Sequence, residues 1–142
     1  MMLHVSAKDS VGSVLGAVTE EVQKLGVARS LIHDLQVVID EIYANIKMHV
    51  LPDYPDLTWT LSVEVKTGFL DLAVEYRGPH FDPTHPRPLA GDLPESQEDG
   101  GMGLNLISAL SDDFRYNYHN GMNTMLVRWN LESDSKETLL CR

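Results

Sequence analysis

Residues Asp34 to Val50, DLQVVIDEIYANIKMHV, constrain the fold of this chain more than any other stretch. Leu35, Val38, Ile39, Ile42 and Ile46 recur at the spacing of one helix face, so the segment reads as a helix with an apolar stripe turned to a core. Glu41, Asn45 and His49 follow each other at i, i+4 and i+8, which stacks three polar side chains in a ridge beside that stripe. Most polar rows of this kind are solvated helix surface. A carboxylate one turn before a carboxamide, both at the edge of a core, also has the chemistry to polarise a water and hold a metal ion.

A helix with such a stripe needs other elements to cover it. The chain has 142 residues, of which 43% are hydrophobic, and this fits one globular domain with a core of its own. Its formal net charge is -10. An acidic surface repels phosphate backbones and anionic lipid, which argues against nucleic acid and membrane surfaces as partners and favours a basic patch on a protein. An anionic ligand would have to be held by local devices such as helix N-termini or a metal. Cys141 is the one cysteine, so no disulfide forms within the chain, which suits a reducing, cytoplasmic setting. The opening MMLHVSAKDS lacks the apolar run of a signal peptide. No stretch reaches the roughly 18 apolar residues of a membrane span.

The remaining elements follow in order. Met2 to Ala7, with Leu3 and Val5 alternating, reads as a short edge strand. Asp9 or Ser10 caps a first helix whose apolar face is Val11, Val14, Leu15, Val18, Val22 and Leu25, stopped by Gly26. Gly12 and Gly16 inside it suggest close packing against a neighbour. The second helix runs from about Ala28 to Val50, and Pro52 and Pro55 prevent its continuation. Leu57 to Lys66 and Phe69 to Tyr76 alternate strictly, with Leu57, Trp59, Leu61, Val63 and Val65, then Leu70, Leu72, Val74 and Tyr76, on the core side. The Thr67-Gly68 turn makes them an antiparallel hairpin. From Arg77 to Gly100 five prolines break any pattern, which marks a lid or a structureless segment. Gly100-Gly101-Met102-Gly103 then opens a third helix carrying Leu104, Leu106, Ile107 and Leu110. Backbone N–H groups at such a start favour negative charge. Phe114 to His119 and Asn123 to Leu131 form a last hairpin around Asn120-Gly121, with Met125, Val127 and Trp129 facing one way.

The expected fold is therefore α+β: a two-layer sandwich in which a largely antiparallel mixed sheet of about five strands is covered on one face by three helices. Residues 1–131 make one domain with a lid at about 77–100, and 132–142 form a polar tail.

The order of a Glu-x-x-x-Asn helix, a strand running into Gly78-Pro79-His80-Phe81-Asp82-Pro83, and a lid closing in Gly-Gly-x-Gly-Leu resembles the ATP-binding domain of the GHKL superfamily, with the Bergerat fold. More narrowly, the chain is similar to the bacterial anti-sigma-factor serine/threonine kinases, from about Val11 to Leu131. The resemblance implies ATP and Mg2+ as cofactors. It places Glu41 where the family keeps the carboxylate that activates the attacking hydroxyl, and Asn45 on the magnesium ligand. His49 matches a supporting histidine, and Gly78 the glycine of an Asp-x-Gly motif. Phe81 belongs to a triplet of this subgroup. Gly101, Gly103 and the adjoining Leu104 fall in the phosphate-binding run after the lid, and Thr124 lies near a threonine that contacts adenine through water.

One position departs from the pattern. Tyr76 stands where the family has the aspartate that accepts a hydrogen bond from the adenine amino group, and Glu75 beside it points to the other face of the strand. Loss of such a buried bond costs about 1–3 kcal/mol. Two functions follow from the resemblance. One is phosphorylation of a regulatory partner, an anti-anti-sigma-like protein, with Mg-ATP. The other is a degenerate, nucleotide-independent module that sequesters a sigma factor or another regulator. Members of the family often form homodimers.

Overall fold

The computed structural model describes residues 1–80 and 106–131. The expected lid from residue 81 onward, the glycine run 100–103 and the tail 132–142 lie outside the described residues.

Five strands form one sheet: β1 (Met2–Ser6), β2 (Thr58–Lys66), β3 (Phe69–Arg77), β4 (Asp113–His119) and β5 (Met122–Asn130). Their order is β1-β2-β3-β5-β4, and all four pairings are antiparallel, so the sheet is not mixed. The two hairpins explain this. β2–β3 turns at Gly68, with φ 84°, and β4–β5 turns at Asn120 and Gly121, with φ 51° and 76°. Positive φ at both central residues is the turn that matches strand twist, and Asn-Gly adopts it at low cost. β5 then lies against β3 rather than at an edge, which places the Tyr76 and Asn123 positions side by side.

The alternation predicted from the sequence holds strand by strand. Trp59, Leu61 and Val63, then Leu70, Leu72, Val74 and Tyr76, then Met125, Val127 and Trp129 are buried on one face. Against it lie α1 (Val11–Lys24) and α2 (Arg29–His49), together with a third helical segment at residues 106–110. α2 contributes Leu31, Ile32, Leu35, Val38, Ile39, Ile42 and Ile46 to this core, and α1 contributes Val14, Val18 and Val22. The architecture is the expected α+β two-layer sandwich.

α1 is bounded as its sequence requires. The Ser10 hydroxyl accepts from the Ser13 N–H at 3.1 Å, while Asp9 accepts from the Ser6 N–H and closes the preceding turn. At the other end Gly26 takes φ 77°. Its N–H reaches the Gln23 carbonyl at 3.1 Å, and the Val27 N–H reaches the Val22 carbonyl at 3.2 Å. This is the left-handed stop for which glycine is the natural residue. Leu25, expected on the buried face, is half exposed at this cap. Gly12 and Gly16 are exposed, and a Cβ on Gly16 would meet nothing within 4 Å. They do not mediate close packing.

The outer face of the sheet carries one buried charge. Asp71 accepts two hydrogen bonds from Arg128, at 2.7 and 2.9 Å. Lys66 lies 3.7 Å away. The guanidinium also rests over the Phe69 ring, 4.4 Å from its centroid. The bonds from Arg128 hold the Asp71 carboxyl below the ordinary aspartate range, against a smaller opposing effect of burial.

Two predictions follow from these contacts. Gly16→Ala should stabilise the domain by about 0.5–1 kcal/mol and Gly26→Ala should destabilise it by about 1 kcal/mol, read from urea unfolding midpoints. Asp71→Asn should cost about 1–3 kcal/mol at neutral pH through the lost charge-assisted bonds. A carboxyl with a depressed folded pKa contributes stability above its unfolded pKa of about 3.9 and loses it as pH falls through the folded value. The gap between wild type and Asp71→Asn should therefore close below pH 4, measured by thermal unfolding across pH.

Candidate functional site

α2 carries the ridge that the sequence singles out. Glu41, Asn45 and His49 are each half-buried, while Ile42 and Ile46 beside them are fully buried. The ridge therefore stands at the border between core and solvent, on the helix-covered side of the sheet. The Asn45 Nδ2 is buried and has no hydrogen-bond partner among the described residues. A buried polar atom left in this way costs about 1–3 kcal/mol unless a ligand or water meets it, so the position is suited to binding. Glu41 forms no ion pair among the described residues, which leaves its carboxylate available one turn away. Among the described residues there is no cluster of three or more His, Cys, Asp and Glu able to hold a metal by itself. A hard cation here would need an oxygen from Asn45 together with oxygens of the ligand and water.

Tyr76 lies at the end of β3 on the same helix-covered face, 2% exposed, in register with Asn123. Beyond it, Gly78 has room for a Cβ, with nothing within 4 Å among the described residues. Among the described residues, the fold therefore does not require glycine there for steric reasons. On α2, a carboxamide at the core border one turn from a carboxylate unpaired among the described residues has the chemistry to hold a magnesium-bound phosphate. On the strand side, Tyr76 presents a buried ring and no carboxylate.

Thr124 is placed differently from the expectation. It pairs with Glu75 in the β3–β5 ladder, and its hydroxyl lies 3.4 Å from the Glu75 carboxylate on the outer face. The side-chain period of two puts Thr124 and Glu75 on the opposite side of the sheet from Tyr76 and α2. The β5 residue on the site's face is Asn123, fully buried and bonded to the Tyr116 hydroxyl and the Pro79 carbonyl. The alternation Asn123, Met125, Val127, Trp129 carried that signal: a carboxamide in register with an apolar series. Phe81, Gly101, Gly103 and Leu104 lie outside the described residues.

The model of the histidine kinase-like ATPase domain family matches residues 5–129. The chain is 26% identical over 120 residues to the serine-protein kinase RsbW of Oceanobacillus iheyensis, covering 78% of this chain and 73% of that protein. It is 25% identical over 119 residues to RsbW of Listeria innocua, covering 80% and 76%. Among solved structures, the SiaB–SiaC complex from Pseudomonas aeruginosa superposes with a TM-score of 0.59 at 13% identity, covering 92% of this chain and 89% of the other. The RsbU and RsbW domains of a Mycobacterium tuberculosis protein give 0.59 at 17% identity, over 91% and 32%. These two likenesses concern the fold. With the family model spanning nearly the whole chain and the ridge, strand end and sheet order in place, the protein belongs to the histidine kinase-like ATPase domain family, and within it is similar to the RsbW serine-protein kinases.

Proposed function

We propose that this protein is a nucleotide-binding regulator of the anti-sigma-factor kinase type, which binds Mg-ATP and phosphorylates a serine or threonine of a regulatory partner protein. The observation that carries the proposal is the Glu41–Asn45 pair at the core border, where the Asn45 Nδ2, a buried donor with no partner among the described residues, is free to meet an acceptor such as a phosphate oxygen. In this reading Asn45 offers its side-chain carbonyl to magnesium and His49 supports the last turn of α2. Glu41 takes the proton from the partner's hydroxyl as its oxygen becomes a nucleophile. Mg-ATP, when bound, would supply the γ-phosphoryl group, its bond to the β–γ bridging oxygen breaking so that ADP leaves. Gly78 gives the ligand access to the strand end. The similarity to the RsbW proteins, named serine-protein kinases, supports the same class. The acidic chain, at net charge -10, favours a partner with a basic contact surface.

A second reading rests on Tyr76. Its ring is 2% exposed at the position of the base-reading aspartate. A tyrosine packed there removes a carboxylate acceptor and occupies volume, and this supports a nucleotide-independent module that holds a sigma factor or another regulator stoichiometrically.

Thermal unfolding with and without Mg-ATP separates the two. A ligand at a hundred times its Kd adds about 2.7 kcal/mol, which is several degrees in a domain of this size. The kinase reading predicts a magnesium-dependent rise that Asn45→Ala removes and that Thr124→Ala, on the outer face, leaves in place. No rise at millimolar ATP overturns it in favour of the Tyr76 reading.

A further inference from the structure

We infer that Asn123 is a positioning residue: it fixes the direction in which the chain leaves β3, and with it the backbone at Tyr76–Pro79 that borders the proposed nucleotide site. The functional half of this inference rests on the nucleotide-binding reading above.

Asn123 is 0% exposed, and the other buried polar side chain among the described residues, Asp71, lies on the outer face. A carboxamide in the core costs several kcal/mol unless its groups are bonded. Here both ends are used. The Tyr116 hydroxyl donates to Oδ1. Nδ2 donates to the Pro79 carbonyl at 3.1 Å, with the Tyr76 and Gly78 carbonyls each at 3.5 Å. Three carbonyl oxygens around one NH2 group also fix the orientation of the amide, because the flipped form would set Oδ1 against all three.

The same hairpin holds each of the four residues that follow Tyr76. Arg77 donates to the Asn120 carbonyl at 3.2 Å. The Gly78 N–H donates to the Gly121 carbonyl at 3.1 Å, and its own carbonyl accepts from the Tyr118 hydroxyl at 3.1 Å. Pro79 is held by Asn123. The His80 ring makes edge contacts with Tyr116 and Tyr118, at 5.5 and 5.0 Å between centroids. β3 ends at Arg77, so most of these ties lie outside the strand ladder. An apolar residue at 123 would continue the core register and leave the Pro79 carbonyl without its donor. The ties therefore serve the exit of the strand. A rigid exit keeps the open space beside Gly78 in one place, which lowers the ordering cost of a ligand that enters it.

The test uses the full chain with two variants. Asn123→Leu removes the carboxamide at similar volume. Tyr116→Phe removes only the hydroxyl, and it is the milder change should the first fail to fold. Two quantities are read: amide exchange by NMR, and the dissociation constant for Mg-ATP. In both variants the Gly78 amide should exchange about tenfold faster while the Leu72 and Val74 amides at the centre of β3 are unchanged, and Mg-ATP should bind about tenfold more weakly. Unchanged exchange at Gly78 overturns the anchoring role. Acceleration of Gly78, Leu72 and Val74 in step also overturns it, since the residue would then serve general stability only. A loosened Gly78 with unchanged affinity overturns the link to the ligand. If the wild type binds no nucleotide, the proposed function fails, and the exchange pattern still decides whether Asn123 holds the strand exit.

Discussion

The structure depends on the apolar stripe of α2 pressed against one face of an antiparallel sheet. Leu35, Val38, Ile39, Ile42 and Ile46 meet a surface of Leu70, Leu72, Val74, Met125, Val127 and Trp129, all of them buried. A helix face of this width and a sheet of period two leave one way to bury both patterns at once. The proposed site lies along the borders of that contact. Glu41, Asn45 and His49 run along the flank of the stripe, where the helix surface turns from core to solvent. Tyr76 and Asn123 sit where the buried face ends along the sheet.

The other side of the sheet has a separate logic. It is uncovered by helices among the described residues, so its strands carry Thr, Ser, Glu and Arg, and its one buried carboxylate is paired twice over by Arg128 with Lys66 nearby. This pairing across β3 and β5 reinforces the same register that sets Tyr76 beside Asn123. A slip of one residue would exchange the two faces, placing Asp71 and Arg128 in the core and Leu72 and Val127 in water.

Much of this was legible in the residues. The α2 stripe, the two hairpins and the turn at Asn120-Gly121 each carry a local signal strong enough to name the element and its buried face. The ridge was legible as a spacing. What the spacing does not reveal is burial: only the packed structure leaves the Asn45 Nδ2 enclosed without a partner among the described residues. Strand neighbours were less legible, because β5 pairs with β3 across a long connection that no local pattern encodes. Thr124 was assigned to the site by its place in a motif, and the register, with Glu75 opposite, turns it outward. Asn123 was placed at the start of the last strand but not among its inward residues, because a carboxamide heading an apolar series carries no apolar signal of its own. Gly12 and Gly16 read as packing contacts, and prove to be exposed positions on α1.

The proposed function requires that a magnesium-bound nucleotide meet both the Asn45 ridge and the end of β3. Titration of the labelled protein with Mg-ATP, followed by NMR of the Asn45 side-chain NH2 and the Gly78 amide, tests it most directly. Binding there gives saturable shifts at both, with the outer-face amides of Ala73 and Leu126 moving little. Unmoved Asn45 and Gly78 signals at millimolar Mg-ATP would contradict it, and would leave the Tyr76-filled fold as a protein-binding module without nucleotide.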